Sequence, residues 1–220
     1  GIEVARSARR LGLSLILDAG QAQAAPQDEI RRWPVLAWHL QDEPDVNNVS
    51  PAQLEALSQK VRAWNPLPQT FVVGSGRAAA AYGAVADVFM LDWYPIPHLK
   101  LDSIADELDQ AKRSLPAGKP LWMVLQAFDW KDEPSQRDPS QPKVGRFPTH
   151  AELRFMAYAA ILHDANGLFF YRFLIAEADR RKNLLEYPER WQAVSRVARE
   201  IKSLQPVLEK GARTSLPFPP

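Results

Sequence analysis

The chain has 220 residues, 46% of them hydrophobic and 24% charged, enough for one domain with a sizeable core. Its formal net charge of +1 makes no electrostatic case for nucleic acid or an anionic membrane as partner, and the short basic runs Arg31-Arg32 and Arg180-Arg181-Lys182 read as solvated surface. The absence of cysteine removes disulfides, thiolate catalysis and Cys-based zinc sites, and no apolar run approaches the roughly 18 residues of a membrane span.

Residues 2–11 predict an amphipathic helix with Ile2, Ala5, Ala8 and Leu11 on one stripe, stopped by Gly12. A buried strand follows over 13–17 and ends in Asp18-Ala19-Gly20. The unit then repeats. A strand over 35–40 leads into Gln41-Asp42-Glu43-Pro44-Asp45, and Ser50 and Pro51 open a helix that runs to Trp64, with serine as N-cap and proline at the first helical position. Further strands are predicted over 70–73, 87–91, 120–125 and 167–171. Helices are predicted over 78–85, 102–115, 149–165 and 191–210, the third opened by a Thr149-to-Glu152 capping box. A long polar loop occupies 129–148, and the tail 212–220 reads as a linker after a domain spanning 1–211.

Near-continuous apolar strands alternating with helices indicate a parallel sheet covered on both faces. No glycine-rich phosphate loop follows any strand, which weakens a doubly wound nucleotide-binding fold. The better expectation is an α/β (β/α)8 TIM barrel. Such a barrel needs eight βα units of about 30 residues, whereas six strands are visible and the chain opens on a helix. We therefore expect the third to eighth strands, without the first two units.

In such a barrel the chemistry lies at the carboxyl ends of the strands. Those ends carry Asp18, then Gln41-Asp42-Glu43, Ser75, Asp92-Trp93-Tyr94, Gln126-Phe128-Asp129-Trp130 and Tyr171-Arg172-Phe173. Lysine is absent there, against a Schiff-base aldolase. Glu43 is the strongest single candidate, because Asp42 and Asp45 beside it raise its proton affinity, and a glycosidic leaving oxygen needs a protonated carboxyl group. The plainer alternative is an acidic loop that caps the next helix. Strand alternation places His39, Gln41 and Glu43 on one face, so a distortion at the strand end is needed to turn both Asp42 and Glu43 inward. His39 has no second histidine at ligand spacing, which weakens a metal role. Trp38, Trp93, Tyr94, Phe128, Trp130 and Tyr171 are candidates for stacking on sugar faces, the alternative being barrel packing.

Val35-Leu36-Ala37-Trp38-His39-Leu40-Gln41-Asp42-Glu43-Pro44 resembles the fourth-strand signature of TIM-barrel glycoside hydrolases. Asp92-Trp93-Tyr94-Pro95 is similar to the sixth-strand turn of such proteins. Phe147 to Arg154, Ala157-Tyr158 and Gly167 to Tyr171 resemble the seventh helix and eighth strand of a little-characterised bacterial branch. The resemblance implies an acid/base at Glu43 and a retaining β-glycosidase plan. It also implies a carbohydrate substrate, no cofactor, and a secreted or periplasmic location. The sequence departs from it at two positions: Asp42 stands where asparagine precedes the acid, and the seventh strand ends in Gln126 with no nucleophilic glutamate.

The expected function is thus hydrolysis of a glycosidic bond in an oligo- or polysaccharide, with Glu43, Asp42 and Asp92 as catalytic candidates. His39, Trp93, Tyr94, Gln126, Trp130 and Tyr171 are the expected substrate contacts. The second carboxylate is open among Asp92, Asp129 and Glu177, and a substrate-assisted, hexosaminidase-like plan using the Asp42-Glu43 pair needs none. Rival readings are a non-catalytic carbohydrate-binding barrel and a metal-dependent hydrolase or lyase liganded by Asp42, Glu43 and Asp92. A metal-free site is preferred.

Overall fold

The computed structural model describes residues 2–132, 144–174 and 183–211. Glu177, the basic run 180–182, the middle of the polar loop and the expected linker at 212–220 lie outside them.

Six strands form one parallel sheet in sequence order: β1 (Leu15–Asp18), β2 (Val35–Asp42), β3 (Gln69–Val73), β4 (Val88–Trp93), β5 (Leu121–Gln126) and β6 (Gly167–Tyr171). The sheet curls into a half-barrel, with β1 and β6 each paired on one side only. The helices are α1 (Ile2–Arg10), α2 (Ala19–Ala22), α3 (Gln27–Ile30), α4 (Pro51–Trp64), α5 (Ala79–Tyr82), α6 (Ser103–Ser114), α7 (His150–Leu162) and α8 (Pro188–Lys210). Among the described residues no helix is long and apolar enough to cross a membrane.

The elements begin and end where local chemistry directs. Ser50 and Gln53 close a capping box on α4 with Pro51 at its start, and Thr149 and Glu152 do the same for α7. α8 starts three residues earlier than periodicity predicts, because Pro188 fits the first turn. The helix expected over 78–85 shortens to a 3-10 turn at Gly76–Ala78 followed by α5. Glu107 of α6 accepts hydrogen bonds from the Gly76 amide (2.6 Å) and the Ser75 hydroxyl (3.0 Å). This draws the turn so close that a Cβ on Gly76 would sit 1.9 Å from the Glu107 carbonyl oxygen. Of the predicted α1 stripe, Ala5 and Ala8 are buried, but Leu11 lies past the helix end and is 72% exposed.

Strand alternation divides the side chains into two layers. Phe71, Val73, Phe89, Leu91, Met123 and Leu125 pack outward against Leu54, Ile104, Leu108, Leu153 and Met156 of the helices. Val72, Val88, Met90 and Val124 form the inner layer with Trp122 and Phe169. Gly167 has no side chain because the Trp122 ring fills its place: a Cβ there would lie 2.4 Å from that ring. This apolar plug is the floor beneath the strand ends.

Candidate active site

The acids reach the inner face through a break in β2. Trp38 and Leu40 point outward into the core, Trp38 against Trp64 with ring centroids 5.0 Å apart, so Ala37 and His39 face inward. His39 pairs with Thr70, but the next paired residue, Asp42, lies opposite Val72. Three steps on β2 thus match two on β3, which is a β-bulge. It reverses the alternation and puts Asp42 on the inward side with Val72. The distortion that the sequence required is present.

Glu43 follows in the left-handed region at φ 40°. Its carbonyl accepts from the amides of Val46 (3.0 Å) and Asn47 (2.8 Å), while the Asn47 side chain donates to the Asp42 carbonyl (2.9 Å). Asp45 accepts from the Gly74 amide at 3.2 Å, which ties this turn to the end of β3. Gly74 leaves room for the acid, since a Cβ there would lie 3.5 Å from Glu43 Oε1 and 3.0 Å from Val46 Cγ2.

On β4, alternation turns Val88, Met90 and Asp92 inward with Tyr94 following them. Asp92 is 7% exposed, and Glu43 and Tyr94 are the side chains that act most on its carboxyl. Burial, then the charge of Glu43, pushes the Asp92 carboxyl up to about 8. Burial, then Asp42 and Asp45, raises Glu43 as well, against a lowering by Asp92. A carboxyl group pushed up to about 8 keeps its proton at neutral pH, so the pair holds one there. Tyr94 is raised above its ordinary value by burial and by Asp92, and therefore stays a hydroxyl donor. His39 is held below its ordinary value by burial, which outweighs Asp42 and Asp18.

The remaining predicted contacts divide into three groups. Tyr94, Phe128, Trp130 and Tyr171 converge in one aromatic cluster. Tyr94 stacks on Tyr171 at 5.7 Å and meets Phe128 edge-on at 5.1 Å, and Phe128 meets Trp130 at 4.9 Å. Tyr171 is 37% exposed, and His98, which looks isolated in the sequence, lies 6.1 Å from Trp130. Trp93 faces the other side of the sheet, where it packs against the outer core and its indole donates to the Ser103 hydroxyl at 2.9 Å. The third group is Gln126, fully buried in the inner layer. Its oxygen accepts from the Ile96 amide (2.8 Å), and its nitrogen donates to the carbonyls of Ile96 (2.7 Å) and Phe128 (3.3 Å). The side chain clamps the turn after Tyr94, and both of its N–H donors are engaged there.

Among the other acids, Asp18 caps α2 through the Gln21 amide at 2.7 Å. Asp129 accepts from the Lys131 amide at 2.9 Å and lies 3.8 Å from Arg190. Among the described residues no three of His, Asp and Glu are grouped as a metal-ligand set, so Asp42, Glu43 and Asp92 do not form one. Gly74 and the Asp45 tether escaped the sequence reading; the signal was a glycine directly after a strand.

Superposition on solved structures identifies the architecture. The fold is that of the TIM-barrel glycoside hydrolases. A GH113 β-1,4-mannanase matches 90% of this chain and 77% of its own at TM-score 0.58 and 12% identity. A GH2 β-galacturonidase from Eisenbergiella tayi, bound to galacturonate, matches 87% and 40% at TM-score 0.54 and 15% identity. A glycoside hydrolase family 17 β-1,3-glucanosyltransferase from Rhizomucor miehei matches 82% and 74% at TM-score 0.51 and 10% identity. The chain spans less than two thirds of several solved structures that it matches. No family model and no curated protein matches the chain. In TIM-barrel enzymes the active site lies at the carboxyl ends of the strands, the end that carries Glu43 and Asp92 here.

Proposed function

We propose that this chain forms the catalytic part of a glycoside hydrolase, with the Glu43–Asp92 pair supplying the proton to the glycosidic leaving oxygen. The observation that carries this reading is the buried Asp92 at the strand ends beside Glu43, where burial and the Glu43 charge push its carboxyl up to about 8. Glu43 is the more exposed partner and faces the substrate; Asp92 stores and steadies the proton, and the Tyr94 hydroxyl donates to Asp92. As the bond to the anomeric carbon breaks, the proton moves from the pair to the departing oxygen, and the electron pair leaves with that oxygen. Tyr171 and Trp130 stack on the sugar, His39 hydrogen-bonds to it, and Asp42 stands at the exposed rim. The reading takes the barrel as eight-stranded, with β1 to β6 as its third to eighth strands; the unpaired edges of β1 and β6 support that count.

Retaining carboxyl pairs stand about 5 Å apart and inverting pairs about 6.5–9.5 Å apart, because the sugar lies between them. In this reading Glu43 and Asp92 share a proton, which leaves no such room, so they act from one side. This favours substrate assistance, in which a 2-acetamido oxygen of the substrate attacks the anomeric carbon and water later opens the ring that forms. Asp92 then stands in for Asp42 as the partner of Glu43 in that plan.

A second reading, sugar binding without cleavage, is favoured by Gln126. At that strand end it offers an amide committed to Ile96 in place of a carboxylate.

The deciding experiment assays aryl N-acetylhexosaminides beside aryl hexosides, with calorimetry on matching oligosaccharides. Cleavage that Glu43→Gln lowers by about 10²–10⁴ with binding retained supports the hydrolase. Binding without cleavage moves the assignment to the binding barrel. Neither binding nor cleavage overturns both readings.

A further inference from the structure

The aromatic cluster at the mouth is tied to the last helix of the chain. Trp130 opens a 3-10 turn, Trp130–Asp132, just beyond β5. The Lys131 amide donates to the Asp129 carboxylate at 2.9 Å, and the Asp132 amide donates to the Asp129 carbonyl at 2.8 Å. These bonds shape the turn locally. Its two acids, which flank Trp130, attach it to α8. Arg190 Nη1 donates to Asp132 Oδ2 at 2.8 Å, and Arg190 Nη2 lies 3.8 Å from Asp129 Oδ2.

The guanidinium is itself held in place. Its Cζ lies 4.5 Å from the centroid of the Tyr187 ring and 5.1 Å from that of Phe147, and its side chain is only 17% exposed. Ion pairs so withdrawn from water are screened less than surface pairs. A planar fork can stack on aromatic rings and reach two carboxylates at once, which the point charge of a lysine does not match. Arg190 also stands in the first turn of α8, where the helix dipole opposes a cation. The two acids, and not the helix, favour a positive charge at that position.

A second wall closes on the same turn. The backbone at Gly145 passes so near that a Cβ there would lie 2.5 Å from Asp129 Oδ1 and 2.8 Å from Trp130 Cβ. Phe147, two residues on, is one of the rings against the guanidinium. The turn is thus wedged between this segment and α8. The half-buried Trp130 ring extends from it to Phe128 at 4.9 Å, His98 at 6.1 Å and Tyr94 at 6.3 Å.

We propose that Arg190 is a positioning residue of the sugar cleft: by bridging the two acids that flank Trp130, it fixes that ring at the mouth in the orientation that stacks on the sugar. The inference rests on the carbohydrate reading above, which gives Trp130 that contact, and Arg190 acts through the ring.

The test begins with indole N–H spectra of the ligand-free chain, in which Trp130→Phe identifies the Trp130 peak by its loss. That peak should move in Arg190→Gln and in Asp132→Asn, while the peaks of Trp38, Trp64 and Trp93 stay. Asp132→Asn keeps the size of the side chain and guards against a folding failure of the arginine variant. Calorimetry with an N-acetylhexosamine trisaccharide and its hexose counterpart follows. Affinity should fall about fivefold in Arg190→Gln and nearly as far in Arg190→Lys. Any cleavage should show the loss in KM, with kcat within about threefold. In a Trp130→Ala background the arginine substitution should change affinity by less than about twofold, because the ring through which it acts is gone. A residue that only steadies α8 would lower the thermal midpoint and move neither the Trp130 peak nor this coupling. An unmoved peak, or an equal loss of affinity with and without the ring, overturns the proposal. If the wild type binds neither trisaccharide, the carbohydrate reading falls, and the spectra alone decide whether Arg190 sets the ring.

Discussion

Glu43, just past the end of β2, and Asp92, on β4, stand on either side of β3, and yet the charge of Glu43 raises the Asp92 carboxyl. Their meeting depends on what β3 withholds. Beyond Val73 it offers Gly74, and the Glu43 carboxylate lies over that bare position. Four expectations follow from this arrangement and its surroundings.

The Asp92 carboxyl is raised from 3.8 to about 8 in the folded protein, so the folded state binds this proton more tightly than the unfolded chain. Stability is then highest below about pH 4 with respect to this group and falls as pH rises from there to about 8. Each unit of such a shift corresponds to about 1.4 kcal/mol. Thermal midpoints between pH 5 and 8 should fall in the wild type and lose most of that slope in Asp92→Asn. Equal slopes in the two proteins would refute the shared proton.

Gly74→Ala should disturb the acid more than the fold. Its Cβ meets Val46 Cγ2 at 3.0 Å, but Val46 is 58% exposed and free to move, whereas Glu43 is held by its turn. The expected stability change is within about 1 kcal/mol, with a displaced carbon-13 titration curve for the Glu43 carboxyl. An unchanged curve would mean that Gly74 does not set the carboxylate position.

Restoring a glutamate at the end of β5 should not create a nucleophile. Gln126→Glu removes the donors to Ile96 and Phe128 and buries a carboxyl group among their carbonyls. Urea unfolding should show a loss of about 1–3 kcal/mol, growing as pH rises and the new group is driven to ionise, with no gain in cleavage. Increased turnover would show that the clamp can be spared and that the strand end accepts the ordinary retaining plan.

Tyr171→Ala and Trp93→Phe should separate. Tyr171 is part of the aromatic cluster at the mouth and 37% exposed, so its truncation should weaken sugar binding by about 1 kcal/mol or more. Trp93 donates to Ser103 on the helix side, so Trp93→Phe should cost about 1 kcal/mol of stability and leave sugar affinity unchanged. Calorimetry with an oligosaccharide, beside denaturation of both variants, distinguishes the roles. Reversed effects would place the sugar on the wrong face of β4.

The fold was largely legible because its elements are long and periodic. All six strands were found near their observed ends, and the capping boxes marked the starts of α4 and α7. The four-residue α2 and α3 are too short for any period to show. Trp93 could have been assigned correctly, since it shares parity with Phe89 and Leu91, which pack on the helices. Glu43 and Asp92 were both legible as strand-end acids, but the inward turn of Asp42 was not: it depends on one surplus residue in β2, and bulges leave no sequence period. Gln126 was misjudged for a different reason. A glutamine after a strand looks the same whether its amide meets a ligand or, as here, a backbone turn thirty residues away.

The bulge also shows what sets the side on which an acid stands. Deleting either Leu40 or Gln41 would restore plain alternation to β2 while leaving the outward seat of Trp38 against Trp64 intact. Two steps on β2 would then match two on β3, and Asp42 would keep its place opposite Val72 and its inward side. Keeping every residue in a plain register would instead carry Asp42 to the helix side of the sheet. The surplus residue is thus absorbed by the bulge, and pairing with Val72 alone decides which way Asp42 faces.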